Sequence, residues 1–369
     1  LSAITGNIGK PGACWHYADL QGDIFSEPKE PLNYYPSDEE DALFRREIST
    51  ALLGEDMLRM EEPELKMAWV ERGNPITQNP DSNKVIEAFR KLEFVVVVEQ
   101  FMTDTALEAD IILPAKSMFE QTDIISSYWN QYIQIRQKVI EPPWEVKPES
   151  EIYYLLARKM GFDTLNIPEP NDKAIEKWLE EQLKDYPELN LDKLKDGPQL
   201  SPVLQETAFS DMIFDTPSGK IELFSETAEK IWGVNPLPSY EKLKEGQGTG
   251  QNKYPYNLMS PNTKNRIHSQ FGNLKCIKTI TDEPYATISS DDAIAKRIHE
   301  GDLIKVFNDR GELMIKAKID ASLRPGNIVI CNGYWHQEGA CSNVLSKGRE
   351  TDIGHGTAFH DNRVDMVKL

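Results

Sequence analysis

Hydrogen-bonding side chains are concentrated in residues 258–269 of this 369-residue chain, LMSPNTKNRIHS. The polar members of this segment are Ser260, Asn262, Thr263, Asn265, Arg266, His268 and Ser269. Hydroxyl, amide, guanidinium and imidazole groups at this density can bind the phosphate, hydroxyl or heterocyclic groups of a ligand. A polar surface loop would have the same composition, so the pattern alone leaves both interpretations open.

Two further candidate binding residues, Asn74 and Glu99, follow predicted strands. Glu99 comes directly after the apolar run FVVVV of residues 94–98. A carboxylate at that place can accept two N–H bonds from the edge of a guanine. The alternative is a carboxylate stabilised by the dipole of a following helix. Asn74 and Pro75 also fit an ordinary turn.

Aromatic, amide and basic groups recur near the C-terminus. They comprise Trp335, Asn343 and residues 359–363, FHDNR, which include His360. Here the alternative is that Trp335 and Phe359 belong to the core of a β-barrel.

No self-contained catalytic centre is indicated. The four cysteines, at positions 14, 276, 331 and 341, form no CxxC pair, whereas zinc and iron–sulfur sites normally use closely spaced thiolates. The G-x-S-x-G, H-E-x-x-H and P-loop motifs are missing from the sequence, which argues against a hydrolase of these types. The formal net charge of −19 argues against nucleic acid as a partner.

The order of the predicted elements places these residues on two kinds of fold. Strands at residues 65–70, 94–98 and 109–114, with a helix capped by Asp81 or Ser82, predict a parallel α/β sheet, whose ligands sit at the C-terminal strand ends. Between them and the barrel, we predict a helix capped by Ser150, a helix at 171–184, a hairpin at 214–224 and a linker at 246–250. The last part predicts a small closed barrel, with strands at 257–260, 285–289, 303–307, 313–319 and 327–331.

Several segments together resemble one known family. In the α/β part these are TGNIGKPG (5–12), RGNP (72–75), FVVVVEQFMTDTALEADIILPA (94–115) and FDTPSGKIELFS (214–225). In the barrel they are SSDDAIAKRIHEGDLIKVFNDRGEL (289–313), RPGNIVICNGYW (324–335) and SNVLS (342–346). In this order they resemble the molybdopterin oxidoreductases, the dimethyl sulfoxide reductase superfamily of bis-molybdopterin guanine dinucleotide enzymes. The resemblance implies a double-psi-like barrel that binds the molybdopterin dinucleotide.

The resemblance also implies which residues contact the cofactor. Asn74 matches the family's Asn-Pro loop, and Glu99 and Glu149 stand where the family usually has Asp. Gln121 stands where Lys often follows Glu, and Asn262 where some members have Arg. The full set implied is Asn74, Glu99, Gln121, Glu149, Ser260, Asn262, Thr263, Arg266, His268, Ser269, Trp335, Asn343 and His360. No catalytic residue and no metal ligand is implied in this chain.

We therefore expect three parts, an α/β cofactor-binding domain at 1–118, a mixed segment at 119–250 and the barrel at 251–369. The resemblance implies the C-terminal part of an oxidoreductase that uses two molybdopterin guanine dinucleotides with Mo or W. An iron–sulfur cluster would lie in a missing N-terminal part, so these residues alone would be inactive. The alternatives are a cofactor-free structural subunit and a non-redox hydratase or hydroxytransferase on the same scaffold.

Partners and location are also expectations. The resemblance implies a small-molecule substrate and an iron–sulfur electron-transfer subunit. The sequence contains no run of 18 apolar residues, so we predict no membrane span. We expect a cytoplasmic protein, or a periplasmic one if an export signal precedes Leu1.

Overall fold

The computed structural model describes residues 1–13, 48–126, 130–162, 170–240, 253–351 and 355–369. They form two compact units. The first contains the described residues of Leu1–Pro36 and Pro114–Leu237, and the second contains those of Ser37–Leu113 and Pro238–Leu369. The predicted boundaries at 118 and 250 stay a prediction. Cys14, the helix predicted from residues 37–40 and the linker at 246–250 lie outside the described residues.

The α/β part of the second unit follows the apolar pattern of the sequence. Its elements are α1 (Leu53–Arg59), β1 (Met67–Glu71), α2 (Pro75–Gln78), α3 (Ser82–Lys91), β2 (Phe94–Glu99) and β3 (Ile111–Pro114). The sheet order is β1-β2-β3, and β1 and β2 run parallel with Met67 opposite Phe94. The four valines of β2 are buried, and two of them, Val95 and Val97, share a core with Val85 and Phe89 of α3. The predicted parallel pairing is confirmed for β1 and β2, which both end at one edge of the sheet.

The first unit contains a small sheet that the apolar pattern did not predict. Its elements are β4 (Asp123–Ser126), β5 (Tyr132–Arg136), α4 (Glu149–Met160), α5 (Asp172–Gln182), α6 (Leu191–Asp196), β6 (Gln199–Leu200) and α7 (Glu226–Trp232). The antiparallel sheet has the order β4-β5-β6 and packs Ile133 and Ile135 against Leu179 and Leu194.

Two local predictions in this unit are wrong. Ser150 does not cap α4, because the helix already begins at Glu149 and Pro148 occupies the cap position. The segment 214–224 forms a turn, in which Gly219 N–H donates to the Thr216 carbonyl at 2.9 Å, but it has no strands. The Lys220 carbonyl accepts the Thr216 and Ser218 hydroxyls instead, and such local side-chain bonds compete with a strand ladder.

The second unit continues into a closed six-stranded barrel, as predicted. Its elements are β7 (Tyr256–Met259), α8 (Lys275–Ile280), β8 (Tyr285–Ser289), α9 (Ser290–Lys296), β9 (Leu303–Phe307), β10 (Glu312–Asp320), β11 (Asn327–Ile330) and β12 (Asn362–Lys368). Around the barrel the order is β10-β8-β11-β7-β12-β9. Alternate residues point inward, and Leu258, Ile288, Ile304, Ile328 and Met366 are fully buried. Within the described ranges, no helix is long and apolar enough to cross a membrane.

Candidate cofactor-binding site

Parallel pairing brings two distant loops to the same end of the barrel. β7 and β11 run parallel, with Asn257 opposite Asn327, so the loops that follow them leave at the same end. The two loops are bonded to each other, because Asn332 N–H donates to the Pro261 carbonyl at 2.8 Å and Asn332 Nδ2 donates to the Ser260 carbonyl at 2.9 Å. The polar segment predicted as a binding loop is therefore held at a defined place.

A cavity of about 440 Å³ opens beside these loops, and we call it the His268 cavity. It is lined by Thr77, Gln78, Ser260, Asn262, His268, Ser269, Asn332, Gly333, Asn343, Phe359 and His360. Six of these residues were predicted contacts: Ser260, Asn262, His268, Ser269, Asn343 and His360. Residues that are far apart in the sequence thus meet in one polar cavity.

Asn343 connects the barrel to the α/β part beside this cavity. The residue is buried, and its Nδ2 donates to the Thr77 carbonyl at 2.8 Å and to the Gln78 carbonyl at 3.1 Å. These carbonyls lie near the end of the short helix α2. Asn343 therefore fixes the position of α2 as well as lining the cavity.

Arg266, one of the predicted contacts, does not line the His268 cavity that Asn343 lines. Its side chain is 3% exposed and forms a bidentate ion pair with Glu338, with N–O distances of 2.6 and 2.8 Å. Nη1 also donates to the Gly333 carbonyl, and the guanidinium lies 4.4 Å from the Tyr334 ring centroid. The partner lies 72 positions away, so no local pattern in the sequence reveals it.

Thr263 does not line the His268 cavity either. It is buried beside a smaller cavity of about 240 Å³ that Lys264, Tyr285 and Cys331 line as well. Its Oγ1 has no hydrogen-bond partner in the part of the chain that the structure describes.

A second cavity, of about 390 Å³, lies at the sheet edge where β1 and β2 end, and we call it the Glu99 cavity. Its lining includes Arg72, Asn74, Gln78, Glu99, Phe101, Ser269, Phe271 and Trp335. Gln78 and Ser269 line both cavities, which makes them neighbours. The predicted contacts Asn74, Glu99 and Trp335 come together here.

The polar groups around the Glu99 cavity are held by hydrogen bonds within the protein. Glu99 Oε1 accepts the Gln100 N–H at 2.6 Å, and Trp335 Nε1 donates to the Ser269 carbonyl at 2.6 Å. Buried Asn74 donates from Nδ2 to Thr77 Oγ1 at 2.9 Å, and its Oδ1 accepts from Thr105 Oγ1 at 2.8 Å. Asn74 therefore shapes the cavity wall through contacts within the protein.

Gln121 and Glu149 belong to the other unit. Gln121 precedes β4, and Glu149 is the first residue of α4; both are half-buried. Their assignment as cofactor contacts stays a prediction.

The described cysteines offer no metal centre. Cys276, Cys331 and Cys341 are free thiols, and the described residues contain no group of three or more His, Cys, Asp or Glu side chains that could hold a metal ion. Burial raises the pKa of Cys331, and it raises the pKa of Cys341 to about 11. Both thiols stay protonated at neutral pH, which makes them poor ligands and nucleophiles.

The sequence patterns did not identify three structurally important residues, Asp104, Glu338 and Gly333. Asp104 accepts N–H bonds from His336 and Gln337. Its position in the polar triplet 103–105, in a loop at the sheet edge, could have identified it as a candidate. The pairing of Glu338 with Arg266, and the contact of Gly333 with His268, depend on the barrel topology and have no local signal.

Two family models match the chain. The one described as "Molybdopterin oxidoreductase" matches residues 1–159, and "Molydopterin dinucleotide binding domain" matches residues 256–363. The second match coincides with the barrel and the loops that line the His268 cavity.

Individual proteins give a consistent result. "Probable oxidoreductase YyaE" of Bacillus subtilis (strain 168) is 31% identical over 376 residues, which cover 100% of this chain and 54% of that protein. "Dimethyl sulfoxide/trimethylamine N-oxide reductase" of Cereibacter sphaeroides is 31% identical over 300 residues, 74% of this chain and 36% of the reductase. The chain thus spans about half or less of the length of these relatives.

A solved structure shows the same fold. Acetylene Hydratase from Pelobacter acetylenicus superposes with a TM-score of 0.70 at 19% identity, over 87% of this chain and 46% of the hydratase. At that identity the likeness concerns the fold alone. On the two family matches, the second of which coincides with the barrel, the chain belongs to the molybdopterin oxidoreductase family, and its barrel is a molybdopterin dinucleotide-binding domain.

Proposed function

We propose that this chain binds a molybdopterin guanine dinucleotide in the His268 and Glu99 cavities. The whole protein would be a Mo- or W-dependent oxidoreductase for two-electron or oxygen-atom transfer. The convergence of Ser260, His268, Asn343 and His360 on one cavity is the observation that carries this proposal. Two cofactors per enzyme, an iron–sulfur cluster, a small-molecule substrate and an electron-transfer subunit belong to the same proposal.

The lining of the His268 cavity fits a phosphate and a pterin. Ser260, Asn262, His268 and Ser269 supply hydroxyl, amide and imidazole groups, which can bind oxyanions and heterocyclic N–H groups. The buried Oδ1 of Asn332 has no hydrogen-bond partner in the described part of the chain. Because buried acceptors are nearly always satisfied, an N–H donor of a ligand in this cavity would complete its bonding.

The Glu99 cavity fits a planar base. Its lining combines the Glu99 carboxylate with the rings of Phe101, Phe271 and Trp335. A carboxylate accepts N–H bonds from a guanine edge, and aromatic rings stack on flat heterocycles. Since Gln78 and Ser269 line both cavities, an elongated dinucleotide could extend from one to the other. The bound cofactor would supply the redox chemistry, and these residues would supply position and electrostatics.

Glu99→Gln in the intact protein tests the proposal. The loss of a charge-assisted hydrogen bond costs about 1.5–3 kcal/mol, so cofactor affinity should fall roughly tenfold to hundredfold. The measurement is the pterin and guanine nucleotide content after gel filtration.

Glu93→Gln is the matched control. Glu93 precedes the other end of β2, is exposed and pairs with Lys66 at 2.9 Å. Its replacement should leave the cofactor content unchanged. Equal cofactor content in Glu99→Gln and wild-type protein would instead favour a purely structural role for Glu99.

The same preparations separate the alternatives. A cofactor-free structural subunit would contain no pterin when made in cells that synthesise it. A hydratase or hydroxytransferase would contain pterin and turn over without an electron acceptor, whereas the proposed oxidoreductase requires one.

A further inference from the structure

The buried carboxylate of Asp104 joins the α/β part to the barrel. The residue is 4% exposed. Its Oδ2 accepts the Thr77 hydroxyl and the His336 N–H, the latter at 2.6 Å, and its Oδ1 accepts the Gln337 N–H at 3.1 Å. Thr77 follows the loop that carries Asn74, whereas His336 and Gln337 belong to the turn that follows Trp335. One side chain therefore connects both walls of the candidate site.

The turn that Asp104 holds is a short 3-10 helix, His336–Glu338. A second carboxylate fixes it from the barrel side, because Glu338 accepts the Trp335 N–H at 2.8 Å and pairs with Arg266. Trp335 is thus held between two anchored carboxylates. Its indole N–H donates to the carbonyl of Ser269, which lines both cavities.

We propose that Asp104 is a positioning residue for the cofactor, an inference that rests on the proposed function. By fixing the turn 335–338 against the Asn74 loop, it holds Trp335 and Ser269 at the place where the two cavities adjoin. Carboxylate acceptors of N–H bonds are stronger than neutral ones. The Asp104 carboxylate already accepts three bonds from the protein, so it acts through Trp335 and Ser269.

Asp104→Asn tests this role from the α/β side. An amide presents one acceptor where the carboxylate presents two, and its NH₂ group faces the N–H donors of the turn. Cofactor release from the intact protein should become about tenfold faster or more. Hydrogen exchange should also become faster at residues 335–338.

His336→Pro tests the same contact from the barrel side and leaves Asp104 intact. Proline removes the N–H that Asp104 accepts, and the first position of a helical turn tolerates proline. The preceding residue Trp335 already has ψ 157°, which is compatible with a following proline. His336→Ala is the matched control, because it removes the imidazole and keeps the N–H.

Two controls separate positioning from general effects. Glu108→Gln removes a charge nearby, from a residue that pairs with exposed Arg90. Asp110→Asn exchanges the charged acceptor of the Val95 N–H, at 2.7 Å, for a weaker neutral one and weakens the sheet without touching the turn. His336→Ala, Glu108→Gln and Asp110→Asn should all release cofactor at the wild-type rate.

The outcomes are distinct. The proposal is supported if Asp104→Asn and His336→Pro both release cofactor faster than wild type and the three controls release it at the wild-type rate. Wild-type release rates in His336→Pro despite faster exchange at 335–338 overturn it, as does equally fast release in Asp110→Asn. If Asp104→Asn does not fold, the comparison of His336→Pro with His336→Ala decides alone. A wild-type protein without pterin rejects the proposed function, and this inference with it.

Discussion

Arg266 belongs to the loop that lines the His268 cavity, but its own side chain does not line that cavity. Its ion pair with Glu338 fixes the loop from behind, next to the Gly333 carbonyl. Removal of one partner leaves the other charge poorly compensated. We expect Arg266→Gln to lower the free energy of unfolding by about 3 kcal/mol, near the lower end for a buried pair, because Glu338 is 25% exposed.

Urea unfolding measures this effect, with Lys316→Gln as the control. Lys316 pairs with Glu283 on the surface, and both side chains are more than half exposed. Such a pair contributes little, so its loss should hardly change stability. An Arg266→Gln protein as stable as the Lys316→Gln protein would mean that the buried pair is not a structural anchor.

Burial of Cys341 predicts low reactivity at pH 8. Its thiol has a pKa raised to about 11 by burial and is 3% exposed, whereas Cys276 is exposed. Iodoacetamide should therefore modify Cys276 in the folded protein and leave Cys341 unmodified, as read by peptide mass spectrometry. Rapid modification of Cys341 in folded protein would contradict the buried position.

The same pKa predicts a loss of stability at high pH. A pKa that is higher in the folded than in the unfolded state contributes stability that is complete below the unfolded value of about 9. That stability is lost as the pH rises towards 11. Cys341→Ala should lose less stability than wild type between pH 9 and 11, relative to its own value at pH 8. Parallel pH profiles of the two proteins would exclude this contribution.

At the scale of elements, Gly333 decides how closely two loops approach. A Cβ atom at Gly333 would lie 2.3 Å from the His268 carbonyl oxygen, and φ there is 93°. Gly326 has a similar φ of 84° but nothing within 4 Å of its Cβ position. Alanine at either position costs about 1–2 kcal/mol for the left-handed backbone, and only Gly333→Ala also pushes the His268 loop away.

We therefore expect Gly333→Ala to unfold at lower urea concentration than Gly326→Ala and to lose pterin on gel filtration. Gly326→Ala should keep its pterin. Equal pterin content in the two variants would show that the close contact of the loops does not shape the cavity.

Elements with strong apolar patterns could be predicted from the sequence. Elements whose structure depends on contacts with other parts of the chain could not. The valines of β2 and the alternating barrel strands specify their own burial. β12 has the inward residues Val364 and Met366, but it was not predicted. Two apolar residues that alternate with polar ones are a weak signal for a strand. The segment 214–224 contains a clear turn motif, but a turn without pairing strands does not form a hairpin.

The candidate site was predictable in its loops and not in its contacts. The density of polar residues at 260–269 identified a segment that does line a cavity, through Ser260, Asn262, His268 and Ser269. Which side chains face inward depends on residues 70 or more positions away, such as the Glu338 partner of Arg266. No local pattern encodes that choice.

At the scale of the whole molecule, the two cavities are neighbours within the second unit. The α/β sheet edge and the barrel loops meet through Asn343 and Asp104, and Gln78 and Ser269 line both cavities. We therefore predict that one elongated ligand binds across both parts of the second unit.

An electron-density map of the intact protein, purified from cells that synthesise the cofactor, tests this claim most directly. We predict continuous density for a pterin dinucleotide that passes Ser269 and occupies both the His268 and the Glu99 cavities. Pterin density that lies outside both cavities, or a protein from such cells that contains no pterin, would contradict the account.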